Sequence, residues 1–390
     1  MAANDLSFNQ LSTVLAEITS QATGAKASAP INTMDFVTVG TTALKTGYDP
    51  LATAISQVLS KTIFSIRPYT RKFAGLQVSN QKWGNIVRKL NVIDKPFEDD
   101  QRLALADGVA IDQYIVNKPE VLQTNFYGAN VYEKSMTIFR DQLDNAFSGP
   151  DQFAQFLTMI MTNASDMIEQ AHENTARACI TNFIAGKISG DSTNVLHLLT
   201  LYNSATGQEL TPAQVRLPDK WPTFVRWLYS YIKTTAEKMG ERTYNYHINV
   251  TGKNIARHTP LSRMKAYIYR PFINEAEATV LSTTFHNDFL RLVDYEGVNF
   301  WQAINNPDEI KIKPSFMNSD GAVVQPSTPV KKTNVLGVLF DEEAAGYTVV
   351  NEWAQPTPFN ARGGYYNQFW HFTDRYWNDF TENGVVLLLD

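Results

Sequence analysis

The chain has 390 residues, of which 44% are apolar, and a formal net charge of -5. Disorder of the whole chain is excluded, because disordered proteins combine low hydrophobicity with high net charge. The balance of 34 basic and 39 acidic residues excludes a strongly basic nucleic-acid-binding protein, and the single cysteine, Cys179, excludes an internal disulfide and zinc sites built on two or four cysteines.

The N-terminal region predicts a helix followed by an arm. Apolar residues recur at spacings of three and four between residues 5 and 20, which is typical of one face of an amphipathic helix. Residues 21–49 are rich in Ala, Thr, Ser and Gly, so we expect this segment to be an arm that cannot order itself. Asp49 and Pro50 then begin a second helix, which extends to about Lys61.

The next pattern predicts a long two-stranded excursion. Residues 85–93 and 132–139 favour strands, and the polar segment DKPFEDDQRLALADG lies between them as a charged tip. A hairpin of this length is marginal in water unless another surface packs on it. The sequence therefore predicts a partner for the hairpin.

A very long helix follows the predicted hairpin. Gly149, Pro150 and Asp151 suit a helix start, and one apolar stripe continues to Gly186. About 35 residues at 1.5 Å each give a length of roughly 50 Å. We interpret this element as a spine on which a sheet rests.

The sequence of the C-terminal half predicts mixed α and β structure. A helix is predicted from Trp221 to Met239, where Gly240 ends it. Predicted strands cover residues 244–250, 289–293, 300–304 and 335–340, and residues 318–333 are predicted to be a loop.

Several functional classes lack their motifs. No basic and apolar leader opens the chain and no window approaches about 18 consecutive apolar residues, so we expect neither signal-peptide export nor a membrane span. The phosphate-binding patterns GxxxxGK[ST] and GxGxxG are absent. His172 and Glu173 begin an HExxH pattern, but Ala176 occupies the position of the second histidine, which excludes that zinc site.

Two further chemical features have ordinary structural interpretations. Cys179 lies in the long helix among apolar residues, which favours a buried thiol over a nucleophile, although a spatially adjacent histidine would change that reading. Either acidic run, at residues 98–100 or at residues 341–343, could bind Mg²⁺ or Ca²⁺, but a solvated turn after a buried strand is favoured, because no spaced loop of oxygen ligands follows. We therefore predict no catalytic residues, no metal and no cofactor.

The aromatic-rich segment 353–380 leaves two interpretations open. Its rings, with Asp374 and Asp379, could form a sugar-binding cleft with paired carboxylates. The favoured interpretation is that the rings fill a core or an interface, where aromatic residues supply much of the buried area.

The order of these elements resembles that of the major capsid proteins of tailed bacteriophages. NVLGVLFDEEAAG at residues 334–346 looks like the strand, acidic turn and helix start found late in those proteins. TENGVVLLLD at residues 381–390, preceded by Arg375-Tyr376-Trp377, looks like their terminal strand. Within that family the chain resembles the small head proteins of short-tailed phages.

The resemblance implies an α+β fold of the Hong Kong 97-like type. Its parts would be an N-terminal arm, an extended β-hairpin loop, a long spine helix with a peripheral sheet and a mixed α/β axial domain. The implied boundaries are 1–60 for the arm and first helix, 61–140 for the extended loop and its flanks, 141–204 for the peripheral domain, 205–370 for the axial domain and 371–390 for a C-terminal strand returning to the peripheral domain.

The resemblance also implies a structural, non-enzymatic function. The chain would self-assemble into pentamers and hexamers of an icosahedral shell around packaged double-stranded DNA, which it would contact without sequence specificity. Its implied partners are copies of itself, a scaffolding protein and a portal, with no membrane, and it would be made in the host cytoplasm and reside in the virion. The alternative is a carbohydrate-active or receptor-binding virion protein that uses the aromatics of residues 353–380.

The extended loop supplies the candidate subunit-interface residues. Charged residues form only 19% of the chain while aromatics reach 12%, a composition typical of surfaces that are covered in an assembly, although a large monomeric core rich in aromatics would have the same composition. The acidic run of residues 98–100 needs basic partners on an adjacent chain, for example around Arg67, Arg71 and Lys72. The candidates are Trp83, Lys95, Phe97, Glu98, Asp99, Asp100, Arg102, Arg67, Arg71 and Lys72.

Overall fold

The computed structural model describes residues 7–61, 71–78, 87–93, 95, 97–100, 102, 105–114, 116, 118–280 and 295–390. Its helices are α1 (Phe8–Thr23), α2 (Thr33–Lys45), α3 (Tyr48–Lys61), α4 (Arg140–Ala146), α5 (Pro150–Gly190), α6 (Leu198–Thr206), α7 (Pro212–Val215), α8 (Trp221–Met239) and α9 (Arg270–Val280). The chain is an α+β protein, as predicted. Within these ranges, no helix combines the length and the hydropathy needed to cross a membrane.

Its strands fall into two larger sheets and several short pairs. They are β1 (Val87–Val92), β2 (Val121–Phe126), β3 (Ala129–Phe139), β4 (Val195–His197), β5 (Met264–Tyr269), β6 (Tyr295–Val298), β7 (Ile310–Ile312), β8 (Phe316–Met317), β9 (Val323–Val324), β10 (Val330–Lys332), β11 (Val335–Asp341), β12 (Ala345–Pro356), β13 (Tyr365–Asn378) and β14 (Gly384–Leu388). One sheet has the order β12-β13-β3, and the other has the order β4-β14-β11-β5-β6.

The N-terminal region is more ordered than the sequence predicts. Helix α1 begins at a capping box in which Ser7 and Gln10 satisfy each other's backbone N–H groups. The expectation that residues 21–49 cannot order themselves is wrong, because α2 forms within them. Its Phe36 is fully buried and lies with its ring centroid 5.6 Å from that of Phe153 in the spine helix. The buried ring of Phe36 therefore anchors α2 to the spine helix, although the composition of this segment predicts an unordered arm.

The long excursion exists, but its strand pairing differs from the prediction. Strand β1 pairs with β2, from Val87 opposite Phe126 to Val92 opposite Val121, whereas β3 pairs with β13. The chain passes from β2 to β3 at Gly128, where a Cβ atom would lie 2.5 Å from the carbonyl oxygen of Tyr376. The predicted pairing of residues 85–93 with 132–139 is wrong, because β3 finds its partner far along the chain.

The spine helix α5 is confirmed and continues to Gly190. The sheet β12-β13-β3 packs on it, as the spine interpretation expects. Strand β14 lies between β4, which falls within the predicted peripheral range 141–204, and β11 of the five-stranded sheet. All five of its residues are buried, and a continuous apolar strand is typical of a position covered on both faces.

Five other predictions from the sequence are confirmed in some cases and differ from the structure in others. Helix α8 is confirmed, and the strand predicted at 335–340 is confirmed as β11. Residues 342–344 turn into β12 and begin no helix. Residues 345–370, assigned to the axial domain, enter the sheet on the spine helix through β12 and β13. The loop at 318–333 contains the short strands β9 and β10.

Two predicted strands in the C-terminal half, at residues 244–250 and 300–304, are not found as such. Residues 244–250 are irregular, because Tyr246 adopts a left-handed backbone with φ 69°. Residues 300–304 turn so that Trp301 is buried and its indole N–H donates to the carbonyl oxygen of Val335 at 2.8 Å. Residues 289–293 lie outside the described residues.

Candidate subunit interface

Many large apolar side chains are exposed on the β1-β2 hairpin and its connecting loop. In the described part of the chain, strands β1 and β2 pair only with each other and form a two-stranded sheet of their own. The fully exposed ring of Phe97 lies in the connecting loop. Other large apolar side chains that stay exposed here are Leu90, Val92, Leu105, Val109, Ile111, Tyr114, Val116 and Val121. A concentration of exposed large apolar side chains on one element is typical of interaction sites in soluble proteins.

The structure brings six of the predicted interface residues into this loop. Glu98, Asp99 and Asp100 are exposed, as are the side chains of the other three, Lys95, Phe97 and Arg102. Within the run, the Arg102 guanidinium donates to the Asp100 carboxylate, with Nε 2.8 Å from Oδ2, and this hydrogen bond lowers the pKa of Asp100. Two acidic side chains, at positions 98 and 99, remain without such a partner in the described part of the chain.

Two of the remaining predicted residues, Arg71 and Lys72, lie outside this loop. Arg71 Nε is 3.5 Å from Oε2 of Glu169 on the spine helix, and its guanidinium lies over the ring of Tyr347. The backbone N–H of Lys72 donates to Glu173, while the side chain is exposed. Trp83 and Arg67 lie outside the described residues. Pairing of these basic residues with residues 98–100 of an adjacent chain stays a prediction.

Sequence reasoning missed the ion-pair network at the base of the hairpin. Lys89 Nζ, on β1, lies 3.0 Å from Oδ2 of Asp379 and 3.1 Å from Oε2 of Glu343, and it also pairs with Glu382. Burial of Lys89 opposes its charge, but the charges of Asp379 and Glu382 outweigh that effect and raise its pKa. The hairpin is thereby tied to the segment that precedes the C-terminal strand. No local pattern marks Lys89, because its partners are about 250 or more residues away along the chain.

Two arginines extend this network. Arg257 Nη2 lies 3.0 Å from Glu382, and Arg263 Nη2 lies 2.5 Å from Glu343 and 3.4 Å from Asp341. Asp341 is buried, so the expectation of a fully solvated turn at residues 341–343 is wrong for its first residue. The carboxylates here are matched by cations of the same chain. Across the described residues, no group of three or more His, Cys, Asp or Glu side chains is placed to hold a metal ion.

A second buried network joins the spine helix to the sheet. His172 Nδ1 lies 2.8 Å from Oδ2 of Asp374, and Nε2 lies 3.2 Å from Oε1 of Glu352. Burial of the ring opposes its protonation, but the two carboxylates outweigh it and raise the pKa of His172 to about 9. At neutral pH the side chain is therefore an imidazolium that holds α5 against β12 and β13.

The thiol of Cys179 is buried, as predicted. Its Sγ contacts the carbonyl oxygens of Gly346 and Trp377 at 3.6 and 3.3 Å, and burial raises its pKa to about 12. A nucleophilic thiol needs a lowered pKa and access to solvent. Cys179 therefore packs the spine helix against the sheet.

The aromatic segment does not form the alternative sugar site. Asp374 and Asp379, the two carboxylates that such a site would use, are buried and engaged by His172 and Lys89. Trp353 stacks on the ring of His371 at a centroid distance of 4.0 Å. The segment belongs to the sheet on the spine helix and to the hydrophobic core, as the favoured interpretation predicts.

The extended hairpin, the spine helix with its sheet and the separate five-stranded sheet define a shell-forming protein of the Hong Kong 97-like class. The chain matches the model of the Phi29-like phage major capsid proteins over residues 12–388. It therefore belongs to that family, and its role is structural, in the head shell of the virion.

Comparison with solved structures agrees on the fold. A chain in the capsid structure of Staphylococcus phage Andhra matches with a TM-score of 0.55 and 12% identity, over 84% of this chain and 87% of that one. A chain in the structure of the head fiber and inner core protein gp22 of native bacteriophage P68 matches with the same values. A search of curated proteins finds no significant match.

Proposed function

We propose that this capsid protein builds pentamers and hexamers of an icosahedral shell and that the β1-β2 hairpin and its loop form the principal contact between subunits. The observation that carries the proposal is the exposure of Phe97 and its apolar neighbours on an element joined to no other strand. Burying apolar surface yields about 25 cal/mol per Å². A loop with this many exposed apolar side chains gains most of its stabilisation when another subunit covers it.

The same proposal gives a role to the charged loop residues. Lys95, Phe97 and the acidic residues 98–100 lie at the end of the hairpin, where a neighbouring subunit would reach them. Charged groups at an interface mainly set its specificity and register, since like-charged surfaces repel incorrect partners. We assign the apolar side chains to affinity and residues 98–100 to selecting the docking site.

Further partners follow from the assembly. The shell would form with a scaffolding protein and a portal after synthesis in the host cytoplasm, in agreement with the single buried thiol. It would enclose packaged double-stranded DNA and touch it without sequence specificity. A net charge of -5 suits this role, because packaged DNA retains counterions of its own.

A shortened hairpin tests the proposal. Residues 93–120 are replaced by Asn-Gly, which closes an antiparallel pair through a tight turn directly after Val92 and before Val121. The variant is expected to remain folded by circular dichroism and to form no shells by sedimentation and electron microscopy, whereas the full chain forms them. Shells of normal yield from the shortened chain would contradict the assigned role of the loop.

A further inference from the structure

A second unusual charged surface lies on the ribbon made by β7 and β10, here called the lysine ribbon (Ile310–Ile312 and Val330–Lys332). The two strands pair antiparallel, and Lys311 lies directly opposite Lys331. Opposite residues in such a pair have Cβ atoms about 5 Å apart, and like charges there destabilise the pairing. Both lysines are exposed. The ribbon thus places two ammonium groups side by side in an arrangement that an anion would stabilise.

The chain itself neutralises this surface only in part. Lys331 Nζ lies 3.4 Å from Glu309, and Lys332 Nζ lies 3.8 Å from Asp390. Among the described residues, Lys311 and Lys313 have no ion-pair partner. The side-chain amide oxygen of Gln302 accepts a hydrogen bond from the backbone N–H of Lys311 at 2.7 Å. Ile304, two residues after Gln302 in the sequence, has an exposed side chain. The surface therefore keeps positive charge that the described part of the chain does not neutralise.

The hairpin loop has the complementary character. The described residues between 95 and 120 include six acidic and three basic side chains. Glu98 and Asp99 stand beside the fully exposed ring of Phe97, so the loop end is acidic with an apolar side chain next to it. No hydrogen bond or ion pair joins the described part of this loop to the lysine ribbon of the same chain.

We propose that the acidic loop end of one copy docks on the lysine ribbon of another copy in the shell. The inference rests on the proposed function and adds the receiving surface. Arg71, the partner expected from sequence, is already paired with Glu169 and lies over Tyr347, whereas Lys311 has no partner in the described chain. Electrostatic complementarity of this kind steers association and fixes register.

Charge reversal in both surfaces tests the pairing. The loop variant E98K/D99K and the ribbon variant K311E/K331E are each expected to reduce the yield of sedimenting shells by about tenfold, and the combined variant to restore most of it. The matched control is K233E/K238E, which makes the same charge change on exposed residues of α8 and is expected to assemble like the wild type. Circular dichroism verifies that each variant is folded.

Other outcomes overturn the inference. A ribbon variant that assembles normally, or a combined variant no better than the ribbon variant alone, would show that the two surfaces do not meet. Rescue of the loop variant by K72E would assign the loop to the surface near Arg71. Normal shells of the ribbon variant with less nuclease-protected DNA would assign the ribbon to the genome. Failure of the wild-type chain and the α8 control to form shells when the scaffolding protein is supplied would instead refute the proposed function.

Discussion

The ammonium nitrogen of Lys89 lies 3.0 Å from a carboxylate oxygen of Asp379, a residue that is only 1% exposed. This contact joins the first strand of the extended hairpin to the segment before the C-terminal strand. Removing one partner of a buried ion pair leaves the other charge without compensation, which costs more than the pair itself contributes.

We expect Lys89→Met to lower the free energy of unfolding by about 3–5 kcal/mol, because Asp379 and Glu382 lose their shared cation. Urea unfolding followed by circular dichroism measures this change. Lys95→Met, at an exposed position of the same excursion, is the matched control and should change stability by less than about 0.5 kcal/mol. Equal stabilities of the two variants would show that the network does not anchor the hairpin.

The second prediction concerns pH. Because the folded-state pKa of His172 is raised from 6.5 to about 9, its contribution to stability is fully present below about pH 6.5 and is lost as the pH rises through 9. The wild type should lose up to about 3 kcal/mol over this interval through His172. His172→Asn should be less stable at pH 6 and should lack this part of the pH dependence.

Urea titrations at several pH values between 6 and 10 measure both chains. His258→Asn, at an exposed position, is the control and should retain the wild-type pH profile. If His172→Asn keeps the same decline above pH 7, the imidazolium between Asp374 and Glu352 is not its source.

The third prediction concerns Cys179. A buried thiol whose pKa is raised to about 12 is almost entirely protonated at pH 8, and the thiolate is the reactive form. In the native protein, Cys179 should therefore react with an aromatic disulfide reagent only at the rate of the unfolding that exposes it. In urea, one thiol per chain should react at once. Rapid stoichiometric reaction of the native chain would contradict the packing of Cys179.

The fourth prediction tests the order of α2. Phe36→Ala should destabilise the chain by about 3–5 kcal/mol, because a fully buried ring is removed from contact with Phe153. Met34→Ala, on the same helix at 81% exposure, should change stability by less than about 0.5 kcal/mol. A Phe36 variant as stable as the Met34 variant would mean that residues 33–45 do not pack as described.

Prediction from sequence succeeds here where the information is local. The spine helix has a continuous apolar stripe and a Gly-Pro-Asp start, and α8 ends at a glycine, so periodicity and capping define both. The exposed loop is also predictable, because a long polar segment between strands has nothing of its own to pack on.

Prediction fails where a long-range contact decides the outcome. Strand β3 pairs with β13 more than 200 residues later, and α2 is ordered by Phe36 against the spine helix. Loop-closing contacts of this separation leave no periodic signal in either segment. The ion pairs of Lys89 are not predictable for the same reason. Lys89 lies in an ordinary strand, and its three carboxylate partners come from the last 50 residues of the chain.

The most direct test of the central claim is an electron cryo-microscopy reconstruction of shells formed by the full chain. Pentamers and hexamers should be visible, with density for residues 93–120 lying on a neighbouring subunit. A chain that remains a monodisperse monomer, or a shell in which this loop folds back on its own subunit, would contradict the account.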